Sequence, residues 1–427
     1  SMHGLWSMRL TIDGETIVDA DAQIGYLHRG YEKLLTNRSY EQGIPICDRL
    51  CYVESHSWST AYVYSIEGIY QIEIPEKAKW LRVLTLELQR IASHCLWLAA
   101  MSVDIGALTM LIYPMNAREV ILNMLESITG ARLTYNYVRI GGVYEDLPVD
   151  FESRMEKSFE EFLRLHLEFL DLLEEAQIFR IRTEGIGILS KEKALDHGCT
   201  GPVLRASGIP YDVRKDDPYF GYDELKFTIP TRTEGDAFAR YRVRIEEMQE
   251  SINLCWQAML KLNELKSNDP FKLDKIPRRP PAGETYRRIE SARGEAGFYI
   301  LSDGTTQPYR CRIKSPVFNN LSTLTPLITG GKLADIFHKS MSFVLGNIRH
   351  IQKDQSVNAP GEPEISRITL EELIANALIH RDYFVSAPVR LFIFANRVEI
   401  ISPGHLPNNL TVENIKRGNS WHWNLFC

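Results

Sequence analysis

Chemistry-bearing residues are unevenly spread along this chain. Seven cysteines stand at 47, 51, 95, 199, 255, 311 and 427, an odd and scattered set. That pattern suits reduced thiols in a cytoplasm better than a disulfide framework. Cys47 and Cys51 lie one helical turn apart and offer at most two soft ligands, short of a four-thiolate site. The pairs Gly141-Gly142 and Gly330-Gly331 are isolated, without the spaced glycines of a dinucleotide loop. A nicotinamide dinucleotide site is therefore not expected in this chain.

Behind those residues stand helices for the most part. Ser7 to Val18 gives two alternating runs around Asp13-Gly14, which predicts a β-hairpin. Glu76 to Met101 has apolar residues at helical spacing, with Pro75 at a first-turn position. Arg118 to Ile128, Glu152 to Ile178 and Gly235 to Lys266 repeat that pattern, the last with Thr233 and Asp236 as a capping pair. A proline-rich linker at 275–283 precedes a second hairpin, with strands at 297–301 and 309–314 around Ser302-Asp303-Gly304. Beyond about residue 336 a polar loop at 352–366, a short helix Leu370 to His380 and strands at 389–394 and 398–402 are expected.

At 427 residues, 44% hydrophobic and 24% charged, the chain is long enough for two or three folded units. A net charge of −6 argues against nucleic acid as a partner. Trp80 to Val103 is too interrupted by Arg82, Glu87, Arg90 and His94 to span a membrane, and Ser1-Met2-His3-Gly4 does not begin a signal peptide. A cytoplasmic protein that can still sit on a membrane partner is the expectation.

Ordered segments resemble the D subunit of NADH-quinone oxidoreductase (complex I), especially its archaeal deazaflavin-linked relatives. They are Ile24-Gly-Tyr-Leu-His-Arg-Gly30, Asp104-Ile-Gly-Ala-Leu-Thr109, Thr129-Gly-Ala-Arg-Leu133, Tyr137-Val-Arg139, Gly141-Gly-Val143, Ser291-Ala-Arg-Gly-Glu295 and Ser315-Pro-Val-Phe-Asn-Asn-Leu-Ser-Thr-Leu324. Together they cover roughly residues 3–335. The resemblance implies that His3, Tyr52 and Asp104 form the quinone-headgroup site, with Asp104 pairing the histidine. His and Tyr can stabilise charge on a reduced quinone and then supply protons, and a carboxylate behind the histidine raises its pKa. Arg29 matches an arginine near the iron–sulfur cluster of the partner B subunit. Where the family often has a proton-coupled histidine, this chain has Thr134 and Tyr135, and threonine does not titrate near neutral pH.

The same subunit is similar to nickel–iron hydrogenase large subunits, which hold metal with two Cys-x-x-Cys pairs. Here Cys51 keeps one ligand position, Glu54 replaces the next, and Phe343-Val-Leu-Gly-Asn347 contains no cysteine. No metal of its own is expected, and Cys51 reads as a buried relic. Residues 337–420 resemble instead the GHKL-like ATP-binding part of Schlafen AlbA-type regulators, through Leu370-Glu-Glu-Leu-Ile-Ala-Asn-Ala-Leu-Ile-His-Arg-Asp-Tyr383. That resemblance implies Glu372 and Asn376, four residues apart, as nucleotide and magnesium ligands.

The reading is an α+β protein: mainly a helical bundle of the hydrogenase large-subunit type, with an N-terminal β-hairpin region and a small C-terminal α/β fragment. Its expected parts are 1–30 (hairpin region), 31–274 (helical core), 275–335 (linker and closing hairpin), 337–420 (the partial GHKL-like fragment) and 421–427 (an unstructured tail). The function implied is the quinone-site subunit of a respiratory NAD(P)H- or deazaflavin-quinone oxidoreductase (a translocase), inactive alone and peripheral on the inner face of the cell membrane. Quinone or a phenazine-type carrier is its substrate, and the iron–sulfur cluster resides in a B-type partner, beside C-type and membrane H-type subunits. The alternatives are a nucleotide-binding regulatory module and a non-functional fusion.

Overall fold

The computed structural model describes residues 7–13, 16–105, 107–331, 350–351, 362–363, 369–370, 373–374, 377, 390–393 and 398–401. Two units emerge, one of residues 1–10 with 19–329 and one of 11–18 with 330–427.

The first unit is a helical body with small sheets at its edges. β1 (Ser7–Asp13) pairs with β2 (Thr16–Gln23), the hairpin expected around residue 13, whose residues 11–18 are counted with the second unit. Then follow α1 (Tyr31–Thr36), α2 (Tyr40–Cys47), α3 (Ser55–Tyr70), α4 (Glu76–Asp104) and α5 (Ile112–Thr129). A small antiparallel pair, β3 (Val138–Arg139) with β4 (Gly142–Val143), leads into α6 (Phe151–Glu174) and α7 (Gln177–Thr183). Short helices α8 (Lys191–Asp196), α9 (Pro202–Arg205) and α10 (Val213–Asp216) precede the long α11 (Ala237–Glu264). β5 (Gly283–Ser291), β6 (Gly294–Ser302) and β7 (Arg310–Lys314) form an antiparallel sheet in that order. Its register pairs Ser291 with Gly294 and Phe298 with Ile313. α12 (Pro316–Leu321) and α13 (Leu324–Ile328) close the unit.

α4 is the axis of the body and is buried nearly all round, packed by α5 and α11. Its interior charges are paired rather than exposed. Arg82 is held by Glu67 of α3 at 2.7 and 2.8 Å. Glu87 accepts from Arg90, Arg214, Tyr222 and Ser251, the last two at 2.6 and 2.7 Å. Arg205 bridges Glu247 and Glu290, each at 2.8 Å, and His94 Nε2 lies 2.8 Å from Glu247. These residues, which interrupt Trp80 to Val103 as a membrane candidate, are a core ion network. Among the described residues no helix is long and apolar enough to cross a membrane.

The structure corrects several expectations. α3 has no counterpart among the helices expected from periodicity, because Ser55-His-Ser-Trp-Ser-Thr60 lacks an apolar stripe. Several of its serines bury their hydroxyls in hydrogen bonds instead, Ser59 Oγ donating to the Ser55 carbonyl, Ser65 Oγ to those of Ala61 and the distant Phe298, and Ser55 Oγ to that of Leu133. The helix expected over 152–178 breaks after Glu174 and restarts at Gln177. Pro75 caps α4 from outside rather than entering its first turn. α11 is capped by Asp236, whose Oδ1 accepts from Ala239 N at 2.7 Å. β5 adds a third strand to the hairpin expected at 297–314.

In the second unit, Ile17 N donates to the Gly331 carbonyl and Gly330 N to that of Ile17. β8 (His350–Ile351) pairs with β9 (Glu362–Pro363), so the segment expected as loop contributes a strand. β10 (Arg390–Ile393) and β11 (Val398–Ile401) are antiparallel, matching the expected strands. Residues 369–370, 373–374 and 377 are helical, with Leu370, Ile374 and Ala377 buried.

Candidate functional site

Tyr52 opens a single 3-10 turn, Tyr52–Glu54, between α2 and α3. The turn is fixed against α4: Gln89 Nε2 donates to the Val53 carbonyl at 2.8 Å, and Ser93 Oγ to Glu54 Oε1 at 3.2 Å. Val53 and Glu54 are buried, whereas Tyr52 is 38% exposed and so presents its ring outward. Burial and the adjacent Cys51 push its hydroxyl above the usual phenol range, and Arg293 and Arg118 pull it back. Arg293 Nη1 donates to Glu54 Oε1 at 2.5 Å and to Cys51 Sγ at 3.4 Å.

Cys51 is therefore not the buried relic expected; it is partly exposed and touches a guanidinium. Cys47 is fully buried, and burial drives its thiol well up. Among the described residues no three His, Cys, Asp or Glu side chains gather as a metal-ligand group.

Asp104 ends α4, exposed, with its carboxyl raised by desolvation. It stands eleven residues past Ser93, roughly 16 Å farther along the helix axis at about 1.5 Å per residue. Tyr52 and Asp104 thus project from different levels of one scaffold. His3, Glu372 and Asn376 lie outside the described residues.

Arg29 lies two residues before α1. Its Nη1 is 3.4 Å from Tyr31 Oη, which donates to the Arg49 carbonyl at 2.7 Å. Arg29, His28, Lys33, Leu50 and Arg310 line an open cleft of about 470 Å³. The four residues 49–52 consequently join the cation-rich cleft of Arg29 to the exposed phenol of Tyr52.

At the position where the resemblance implies a titrating histidine, Thr134 precedes buried Tyr135. A different histidine packs there: His56, edge-on to Tyr135 with ring centroids 6.3 Å apart, and with Nε2 2.7 Å from Thr85 Oγ1. Burial and then Arg82 lower it to about 3, so it stays neutral at physiological pH. It does not replace a redox-linked proton acceptor.

Arg293 and Arg118 are neighbours of Tyr52 that sequence reasoning does not reveal, whereas Glu54 stands two positions from it in the sequence. Arg293 lies within the family-like segment Ser291 to Glu295, but 241 positions separate it from Tyr52 in sequence, and no local pattern links them.

Comparison with known proteins places this scaffold. The model of the family described as "Respiratory-chain NADH dehydrogenase, 49 Kd subunit" matches residues 104–279 and 264–349. The D subunit of the NADH-quinone oxidoreductase of Dehalococcoides mccartyi is 43% identical over 353 residues, covering 82% of this chain and 95% of that protein. The D subunit of the F(420)H(2) dehydrogenase of Methanosarcina mazei is 40% identical, covering 78% and 90% respectively. Among solved structures, a chain of the membrane-bound sulfane sulfur reductase, an archaeal respiratory membrane complex, superposes with a TM-score of 0.72 at 35% identity, over 78% of this chain and 90% of that one. The chain belongs to the family of the respiratory-chain NADH dehydrogenase 49 kDa subunit and is a subunit of a complex I-type oxidoreductase.

Proposed function

We propose that this chain forms one wall of a quinone-reducing site, where a carrier accepts electrons from a partner's iron–sulfur cluster. The observation that carries the reading is Tyr52: an exposed phenol on a rigid turn, backed by two guanidinium groups and joined through residues 49–52 to the cleft of Arg29. Two electrons from the cluster and two protons convert the quinone to the quinol. Tyr52 supplies one proton, and its neighbouring cations stabilise the charge that remains. Asp104, too far along α4 to meet Glu54's turn directly, acts on the other end of the carrier, with His3 as its donor partner. Arg29 faces the cluster, where its charge favours the reduced state.

The full assembly in this reading has B-type, C-type and membrane H-type partners, and the chain sits peripherally on the inner face of the membrane. The electron source is NAD(P)H or a reduced deazaflavin, and the carrier a quinone or a phenazine-type molecule. Residues 337–420 carry a separable nucleotide-binding reading through Glu372 and Asn376.

Co-expression with a B-type iron–sulfur subunit tests the main reading. Co-purification and quinone-reductase activity in the assembled complex are expected. Failure of the two chains to associate removes it.

A further inference from the structure

One turn of the β5–β6 hairpin is clamped by two segments far apart in sequence, Thr200-Gly201 and Asn320. Ser291 pairs with Gly294, so Ala292 and Arg293 alone form the turn. Gly201 packs so closely that a Cβ there would lie 2.4 Å from the Arg293 carbonyl oxygen. A Cβ on Gly294, at φ +127°, would lie 2.4 Å from Thr200 Oγ1. From α12, Asn320 Nδ2 donates to the Arg293 and Thr200 carbonyls at 3.3 and 3.2 Å, and its Oδ1 accepts from Thr200 N at 3.1 Å. This clamp delivers Arg293 onto the Tyr52–Glu54 turn, where it meets Glu54 and Cys51. The ion pair is nearly buried, its side chains 13% and 1% exposed. Such a pair recovers little of its own desolvation cost, so stability alone accounts poorly for so elaborate a mount.

We propose that Arg293, held by Glu54, is a positioning residue for Tyr52. When the Tyr52 O–H bond breaks and its proton passes to an oxygen of the reduced carrier, the electron pair stays on the phenolate oxygen, and the fixed guanidinium stabilises that charge. The phenolate recovers a proton from solvent. The inference rests on the quinone reading for the identity of the carrier, but the coupling of Arg293 to Tyr52 does not. The charged and titratable groups around Tyr52 are Cys51 and Glu54 on its own segment, Arg118 from α5 and Arg293 from the hairpin turn. Arg293 and Arg118 oppose burial, so loss of either cation destabilises the phenolate.

The test places 3-fluorotyrosine at position 52 of the full chain and follows its titration by ¹⁹F NMR, with circular dichroism as a check on folding. Arg293→Gln should raise the midpoint by on the order of one pH unit, the scale of one nearby charge. Glu54→Gln should lower it, the double variant should stay above wild type, and Arg293→Lys should restore it. If any of these folds poorly, the remaining variants decide. An unchanged midpoint in the folded Glu54→Gln and double variants overturns the proposal. A shifted midpoint in a chain whose assembled complex with the B-type partner fails to reduce quinone would leave the coupling standing and remove only the quinone reading.

Discussion

A phenol that hands over a proton must be reachable on one side and electrostatically supported on the other. Tyr52 meets both requirements: it is 38% exposed, and the charges of Arg293 and Arg118 favour its phenolate. Tyr52→Phe in the assembled complex is expected to lower the quinone reduction rate about 10²-fold, the low end of general-acid contributions, while leaving the melting temperature nearly unchanged. Steady-state kinetics and a thermal melt check both halves. Asp48 offers a second test, in stability. It is buried, accepts from Asn136 N at 2.8 Å, and burial raises it to about 6. Its folded pKa lies above its unfolded one, so the folded state binds more protons between about pH 4 and 6 and stability falls as pH rises through that window. Asp48→Asn should remove this dependence and stabilise the protein at pH 7 by up to about 3 kcal/mol, read from urea unfolding across pH. At this scale, residue types at family spacing single out Tyr52 and Asp104 as candidates, and the structure gives Tyr52 its exposed place on the turn. Arg293 escapes such a reading because its contacts with Glu54 and Cys51 exist only after a hairpin turn meets a helix start.

Elements show which signals a sequence carries. α4 and α11 announce themselves by apolar period. α3 does not, because its polar side chains are buried through hydrogen bonds that periodicity cannot register, and the charged run Glu284 to Arg288 hides β5. The ion network across α4, α9, α10, α11 and β5 is likewise invisible in sequence, since its partners come from five elements. Burial raises Glu247, but Arg205 and His94 more than offset that and leave it below its usual range. Arg205→Met should therefore cost about 3–5 kcal/mol by stranding Glu247 and Glu290, the typical penalty for halving a buried pair. Denaturant titration measures it. Gly201→Ala tests the clamp: its φ of +69° and the 2.4 Å approach to the Arg293 carbonyl leave no room for a methyl group. A loss of at least about 1 kcal/mol is expected from the conformation alone, together with reduced quinone turnover.

For the whole molecule, the family match runs to residue 349 and the described structure of the first unit to 329, so the respiratory scaffold dominates the chain. The nucleotide reading of residues 337–420 predicts calorimetric ATP binding that disappears in Asn376→Ala. No binding in the parent chain would eliminate it. The central claim is electron delivery from a partner's cluster to a carrier bound against Tyr52. Its most direct test reduces the iron–sulfur cluster in the assembled complex, adds a water-soluble quinone, and follows cluster reoxidation by freeze-quench electron paramagnetic resonance. Rapid quinone-dependent reoxidation is predicted for wild type, with slowing of about 10²-fold in Tyr52→Phe. Equal rates in the two complexes, or reoxidation independent of quinone, would contradict the account.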